Sequence, residues 1–200
     1  MQMLHPFAGS VEQYAEQLAD PDRHRPRACP QCQAQHPLAA HGFYTRTLID
    51  EAFDCIIRVR RYLCQECKRT VSLLPQFVLP YLRASIAVIA LFLIARLLHG
   101  QTLAVAGKVT QTSMPYQRGQ FWIRRFRKHA EDLCAALAGL IKPASAPDFV
   151  RRALAMLEST GWIGAHRFLF ATLRYHLLGW PPGLAPNGHR TTFSPAGAPG

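Results

Sequence analysis

The sequence predicts an α+β protein, in which a small β-rich module is followed by a mostly helical region. Two observations predict this class. Residues 42–63 are rich in β-branched and aromatic side chains and lie between two C-x-x-C pairs, as the strands of a hairpin do. From Leu82 onward, the apolar residues recur at helical spacing instead.

The chain is predicted to begin with a short helix. Residues 10–19 place Val11, Tyr14 and Leu18 at helical spacing behind Ser10, a residue type that caps helices. The proline-rich stretch DPDRHRPR follows and breaks the helix before the first cysteine pair.

Three strands are predicted at 42–49, 53–63 and 70–80. The alternation of side chains in the second strand places Arg58 and Arg60 on the same face. Prolines end the third strand, because proline cannot donate a hydrogen bond to a neighbouring strand.

Five helices are predicted after the strands. Gly100 is expected to end the first helix, and Pro115 suits the first turn of the third. The predicted helices span residues 84–98, 101–109, 115–140, 148–158 and 166–178. The remaining residues hold several prolines and little apolar surface to bury, so residues 179–200 are expected to form a flexible tail.

The four cysteines of the two C-x-x-C pairs form the strongest motif of the chain. Each pair fits one tight turn that brings both sulfurs to one side, and four thiolates make the tetrahedral set that a structural Zn²⁺ accepts. Because a small β-hairpin has little core of its own, zinc binding would contribute directly to its folding. The predicted zinc ligands are Cys29, Cys32, Cys64 and Cys67.

Other interpretations of these cysteines stay open. Disulfides are disfavoured in a reducing compartment, and a redox dithiol would be expected beside a thioredoxin-like βαβ pattern, which we do not find. His36 or His41 lies near enough in sequence to replace one cysteine ligand. Cys55 and Cys134 are expected to be small buried side chains without chemistry.

The charge of the chain favours an anionic partner. There are 23 Lys and Arg against 12 Asp and Glu, for a net charge of +11. Residues 81–142 alone carry 9 basic and 2 acidic side chains. The chain opens without a signal-like apolar run, and the apolar stretch 84–95 is too short to cross a bilayer. We therefore expect a cytoplasmic protein that does not enter membranes.

The third predicted helix combines an apolar stripe with a basic face. The stripe is expected to contact the core and consists of Trp122, Phe126, Leu133, Leu137 and Leu140. The other face carries residue types that reach base edges and phosphates, namely Gln117, Gln120, Arg124, Arg127 and Lys128.

This helix follows a short helix and a polar turn, which is the layout of a helix-turn-helix. Gln117, Arg118 and Gln120 are the predicted base readers, and Ser113 would bind a phosphate or cap the helix. The predicted phosphate contacts are Arg124, Arg125, Arg127 and Lys128. A basic face that is merely solvated, or that lies on an anionic membrane, is an alternative interpretation.

Four segments of the chain carry a family resemblance, namely CPQC, HGFYTR, IRVRRYLCQECKRTVSLLPQFVLPY and PYQRGQFWIRRFR. They resemble an uncharacterised bacterial family of zinc-ribbon and helix-turn-helix proteins associated with insertion sequences. The resemblance covers about residues 28–128 and implies DNA binding, with the four cysteines as zinc ligands. Transposases of this kind also hold metal ions with three separated acidic residues. After residue 142 only Asp148 and Glu158 are acidic, so that catalytic domain is not expected here.

We therefore expect a non-enzymatic DNA-binding protein that acts as a transposase-like accessory or regulator of a mobile element. Two alternatives are the DNA-binding part of a split transposase or nuclease, which would need a partner chain, and a zinc-ribbon adaptor for other proteins. RNA is a further candidate ligand. The expected segments are an N-terminal helix and linker (1–27), a zinc ribbon (28–80), a helix-turn-helix region (81–142), C-terminal helices (143–178) and a tail (179–200).

Overall fold

A computed structural model describes residues 1–7, 9–16, 22–51, 54–110 and 115–179. Within these residues the fold is α+β, as expected, with a four-stranded mixed sheet and six α-helices. The elements are β1 (Gln2–His5), α1 (Val11–Glu16), β2 (Ala39–Ile49), β3 (Asp54–Leu63), β4 (Thr70–Pro75), α2 (Ile86–Leu93), α3 (Leu103–Val109), α4 (Tyr116–Leu137), α5 (Phe149–Thr160) and α6 (Trp162–Leu173). None of the described helices has the length and apolar character needed to cross a membrane.

The chain divides into two compact units, unit 1 (Met1–Tyr116) and unit 2 (Gln117–Gly200). Unit 1 contains the sheet and the helices up to α3. Unit 2 contains nearly all of α4 together with α5 and α6. The boundary therefore falls inside residues 81–142, which the sequence predicts as one helix-turn-helix region.

The sheet of unit 1 has the strand order β1-β4-β3-β2. The three predicted strands are present as β2, β3 and β4, each antiparallel to its sequence neighbour. β1 was not predicted: it pairs in parallel with β4, and the N-terminal ammonium donates to the carbonyl of Thr70 at 2.9 Å. The segment 1–27, expected to hold only a helix and a linker, thus supplies an edge strand.

Two hydrophobic cores lie on opposite faces of this sheet, because alternate side chains of a strand point to opposite sides. The face that carries Ile57 and Val59 packs against α1, and this core also contains Leu48, Leu74, Phe77 and Val78. The opposite face carries Tyr62, Val71 and Leu73, which pack against the cysteine pairs and Leu38. One long strand, β3, therefore contributes to both cores.

The predicted leading helix is present as α1 from Val11 to Glu16. Leu18, which was also assigned to its apolar face, lies outside the described residues. The Ser10 hydroxyl accepts the backbone N–H of Gln13 at 3.1 Å, and the Gln13 side chain accepts the backbone N–H of Ser10 at 2.9 Å. This reciprocal pair is a capping box, which satisfies two backbone donors at the helix start. Tyr14 in α1 donates its hydroxyl to the carbonyl of Arg58 at 3.0 Å and so attaches the helix to β3.

The apolar helix predicted at 84–98 is shorter at its start and changes form at its end. Ala84 and Ser85 form isolated bridges, and Ser85 caps α2 by accepting the N–H of Val88 at 3.2 Å. After Leu93 the helix continues as a π-helical turn, Ile94–Leu98. Gly100 follows with φ +67°, a backbone conformation that glycine adopts without strain, so its predicted role at the helix end is confirmed.

In unit 2, the apolar stripes of α4, α5 and α6 form the core. Trp122, Phe126, Leu133 and Leu137 are buried as predicted. Leu140 is not: α4 ends at Leu137, and Leu140 is 44% exposed. The prediction of a stripe that continues to Leu140 is therefore wrong, because the chain leaves the helix before that residue.

The last predicted helix, 166–178, is shifted in the structure. α5 ends at Thr160, Gly161 then turns the chain sharply with a φ of +79°, and α6 begins at Trp162. α6 then ends at Leu173, since Arg174 adopts a left-handed conformation with φ +52°. Leu177 and Leu178 are nonetheless buried beyond the helix. Of the predicted tail 179–200, the residues from 180 onward lie outside the described part of the chain.

Candidate metal centre and basic helix face

The two C-x-x-C pairs form the same turn twice. In each turn the backbone N–H of the first cysteine donates to the carbonyl five residues later at 3.0 Å: Cys29 to Ala34, and Cys64 to Arg69. The residue after each second cysteine has a positive φ, which lets the chain reverse direction at that point: Gln33 at 61° and Lys68 at 54°. This repeated backbone geometry points both sulfurs of a pair the same way.

The four sulfurs converge on one point. The Sγ atoms of Cys29 and Cys67 are 3.7 Å apart, as are those of Cys32 and Cys64, and all four lie within 4.8 Å of one another. A tetrahedral ion with metal–sulfur bonds of about 2.3 Å separates its ligands by about 3.8 Å. The arrangement is therefore compatible with a metal site, and the four predicted residues are those that the structure brings together.

The cysteine cluster is partly enclosed by the second sheet core. Cys29 and Cys64 are fully buried beside Tyr62, while Cys32 is exposed. Burial raises the pKa of the Cys29 thiol, but hydrogen bonds from the backbone of Cys32 and Gln31 and from neighbouring thiols lower this pKa to about 6.

The pKa of Cys67 changes in the opposite direction. The backbone N–H of Arg69 lowers it, but burial and the thiols of the other cysteines outweigh this and raise the pKa to about 11. Several negative charges so close together repel one another, so the full tetrathiolate requires a cation. A divalent metal ion would supply that charge.

The other cysteines and histidines fall outside this cluster. The Nε2 atom of His36 lies 4.0 Å from the Sγ of Cys64, which places it beside the four sulfurs, and His41 is exposed on β2. Cys55 is half-buried in β3, and Cys134 is buried in α4, where its thiol contacts the carbonyl of Phe149 at 3.4 Å.

The basic face of α4 is exposed along the first half of the helix. All five residues assigned to that face are exposed, namely Gln117, Gln120, Arg124, Arg127 and Lys128. Trp122, Ile123 and Phe126 on the opposite side are buried. Glu131 and Asp132 follow, so the cationic character ends at about Lys128.

The other predicted DNA contacts are placed differently. The guanidinium of Arg125 donates to the carbonyls of Leu178 at 2.8 Å and Gly179 at 2.6 Å, and it stacks on Phe121. Burial, and then the charge of Arg124, lower the pKa of Arg125. Its polar donors are thus engaged within unit 2. Arg118 is half-buried, and Ser113 lies outside the described residues.

The sequence did not predict a second basic feature, an open cleft of about 540 Å³ in unit 1. Arg46, Arg61 and Arg83 line it together with Tyr81. These residues come from β2, β3 and the segment after β4, so no local motif unites them. The alternation of β3 places Arg61 on the same face as Ile57 and Val59, opposite the face of Arg58 and Arg60, but this pattern does not connect it with Arg46 or Arg83.

A domain of unknown function, DUF6431, matches residues 29–114. The matched segment covers less than half of the chain. It begins at the first cysteine of the cluster, includes the whole β2–β4 sheet region and ends just before α4. Neither the curated proteins nor the solved structures contain a match to this chain.

Proposed function

We propose that this is a non-enzymatic protein that binds duplex DNA through the exposed face of α4, and that a structural Zn²⁺ held by Cys29, Cys32, Cys64 and Cys67 stabilises its β module. The single observation that carries the proposal is the division of α4 into a buried apolar side and an exposed cationic side. The role as a transposase-like accessory or regulator of a mobile element rests on the family resemblance alone.

The exposed side of α4 has the chemistry of a major-groove reader. Glutamine amides form paired hydrogen bonds with adenine, and arginine does so with guanine, while basic side chains at the edges bind phosphates. Gln117 and Gln120 occupy the first turns of the helix, which is where recognition helices contact bases. Arg124, Arg127 and Lys128 follow on the same face and supply the phosphate contacts.

The first helix of the proposed helix-turn-helix is α3. Thr102 caps it by accepting the N–H of Val105 at 3.3 Å, and Thr110 ends it. Two exposed apolar residues, Val105 and Val109, lie on this short helix. The assignment of α3 and α4 to one DNA-binding motif follows from their order and spacing in the sequence.

Zinc is the metal we propose for the cysteine cluster, because four thiolates in a closed tetrahedron are typical of structural Zn²⁺ sites. The ion would join the start of β2 to the end of β3 through the two turns. Such a site contributes folding free energy and leaves no open coordination position for catalysis.

A salt-titrated binding assay tests the DNA proposal. We expect labelled duplex DNA to bind with an affinity that falls steeply between about 50 and 200 mM salt. The double variant Arg124→Ala with Arg127→Ala should bind more weakly and reduce the slope of log K against log salt by about 2, because two phosphate contacts are lost.

The matched control removes the same charge from unit 2 at another surface. Arg151 on α5 and Arg167 on α6 are both exposed, so Arg151→Ala with Arg167→Ala should leave the salt slope nearly unchanged. Equal effects of the two double variants, or no binding to duplex DNA, would refute the assignment to α4. Tighter binding to duplex RNA of the same sequence would show that the preferred ligand of α4 is RNA and not DNA.

A further inference from the structure

We propose that the three-arginine cleft of unit 1 binds a nucleotide, with the phosphate held by Arg46, Arg61 and Arg83 and the base stacked on Tyr81. The site belongs to the sheet and uses none of the residues of α4. It would accept a free nucleotide or the phosphorylated end of a nucleic acid strand, since both present the same phosphate and base. The inference does not depend on DNA binding by α4.

The sheet register builds one wall of the cleft. Arg61 of β3 lies opposite Ser72 of β4, and Ser72 lies opposite Gln2 of β1, so these three residues form a row across the sheet. Cross-strand partners point to the same face, which brings one guanidinium, one hydroxyl and one amide together. Such a row offers several hydrogen-bond donors to the oxygens of a phosphate.

The opposite wall is a segment fastened to the edge strand β2. Arg46 donates from Nη2 to the carbonyl of Leu79 at 3.0 Å. The N–H of Ile49 donates to the carbonyl of Arg83 at 2.7 Å, and the N–H of Ser85 donates to the carbonyl of Ile49 at 2.9 Å. These three bonds fix the positions of Tyr81 and Arg83 relative to β2, so the wall is formed before a ligand binds.

The cleft is cationic within its described lining. Its described lining contains no Asp or Glu, and within the described part of the chain none of its three arginines takes part in an ion pair. Burial lowers the pKa of Arg46, and the nearby charge of Arg83 adds to this against an opposing contribution from Tyr44. Like charges held together in a partly enclosed cleft attract an anion.

Tyr81 gives the cleft an aromatic surface. Its side chain is 50% exposed, and its backbone has a φ of +64°, which is unfavourable for a residue with a bulky side chain. Strained conformations of this kind concentrate at ligand sites. An exposed aromatic ring beside phosphate-binding groups is the arrangement that stacks a base. The volume also lies within the range of small-ligand sites.

Calorimetric titration of the full-length protein tests the site with four probes: adenosine 5′-monophosphate, inorganic phosphate, adenosine and a short 5′-phosphorylated single strand. We expect the monophosphate to bind more tightly than phosphate or adenosine alone. Arg61→Ala with Arg83→Ala should weaken this binding by about tenfold or more, because each guanidinium forms charged hydrogen bonds with the phosphate. Tighter binding of the phosphorylated strand than of the monophosphate would identify the phosphorylated end of a nucleic acid strand, and not a free nucleotide, as the ligand of the cleft.

The control double variant is Arg23→Ala with Arg58→Ala, which removes the same charge at exposed positions outside the cleft. It should bind the monophosphate like the unmodified protein.

Tyr81→Phe should keep the preference for the monophosphate over phosphate, and Tyr81→Ala should lose it. No binding of any probe, equal weakening in both double variants, or equal affinities for phosphate and monophosphate would overturn the proposal. Unchanged DNA binding by the cleft variant would leave the α4 proposal standing.

Discussion

His166 is a buried titratable residue in the core of unit 2. Its side chain is fully buried near Phe170, and within the described residues neither ring nitrogen has a hydrogen-bond partner. Burial, and then the neighbouring His176, lower the pKa of His166 to about 3. An imidazole with this pKa is neutral in the folded protein at any pH near neutrality.

This histidine should make unit 2 sensitive to acid. The unfolded chain takes up a proton below its ordinary pKa of 6.5, while folded His166 resists protonation down to about pH 3. The unfolded state therefore binds more protons between these values, and stability falls as the pH is lowered through them, by up to about 1.4 kcal/mol per pH unit. Residues 1–116 contain no tryptophan, and Trp122 and Trp162 lie in the described part of unit 2, so denaturant unfolding followed by tryptophan fluorescence measures this effect.

Two substitutions at this site distinguish the effect of His166 protonation on stability from the effect of an unsatisfied buried polar group. His166→Leu and His166→Gln should both reduce the loss of stability between pH 6.5 and pH 4. Only His166→Leu should also raise stability at pH 7, by about 1 kcal/mol or more, because it removes an unsatisfied buried polar group. An acid sensitivity that persists in both variants would show that another group is responsible.

At the scale of the helices and strands, the sequence predicted those elements whose own residues show a clear helix or strand pattern. β2 and β3 are at least ten residues long and rich in β-branched and aromatic side chains, and exposure alternates in β3 from Asp54 to Val59. α4 repeats its apolar stripe over several turns. The cysteine cluster was predictable for the same reason, since each pair needs only one tight turn. The elements that long-range pairing or glycine determines were missed: β1 is a strand only through its pairing with β4.

α6 illustrates the second kind of error. Gly161 precedes α6 as its N-cap and Gly164 lies in its first turn. Because glycine lowers helix propensity, the sequence before residue 166, where the helix was predicted to begin, carries only a weak helix signal. The cleft arginines were missed because they meet only when β2 pairs with β3 and the segment after β4 bridges to Ile49 of β2. No sequence period contains that information.

The two glycines at the start of α6 should respond oppositely to alanine. Gly161 has a φ of +79° and a ψ of 129°, which a residue with a Cβ avoids, so Gly161→Ala should destabilise unit 2 by about 1–2 kcal/mol or more. Gly164 lies in helical conformation with open space around its Cα, so Gly164→Ala should stabilise by about 0.5–1 kcal/mol. Denaturant unfolding followed by tryptophan fluorescence measures both. Shifts in the same direction would contradict the assigned turn.

At the scale of the whole molecule, the cysteine cluster and the basic helix face belong to different units. The four cysteines and the sheet lie in unit 1, and the exposed basic face from Gln117 onward lies in unit 2. The cysteine side of the sheet has a small core, with Leu38, Tyr62, Val71 and Leu73 as its buried apolar residues beside the sulfurs. An ion that holds both turns together should therefore matter far more to unit 1 than to unit 2.

Removal of the metal should consequently destabilise unit 1 and leave the stability of unit 2 nearly unchanged. We expect purified protein to contain about one Zn²⁺ per chain, and we expect a strong chelator to speed amide hydrogen exchange across residues 29–75 by about tenfold or more. Exchange in α5 and the tryptophan fluorescence of unit 2 should change little.

Cys64→Ser should reproduce the effect without chelator, because it removes one buried ligand. Cys55→Ser, in the same sheet but outside the cluster, should keep its metal. Full zinc content in Cys64→Ser, or equal loosening of both units, would contradict a structural metal site in unit 1.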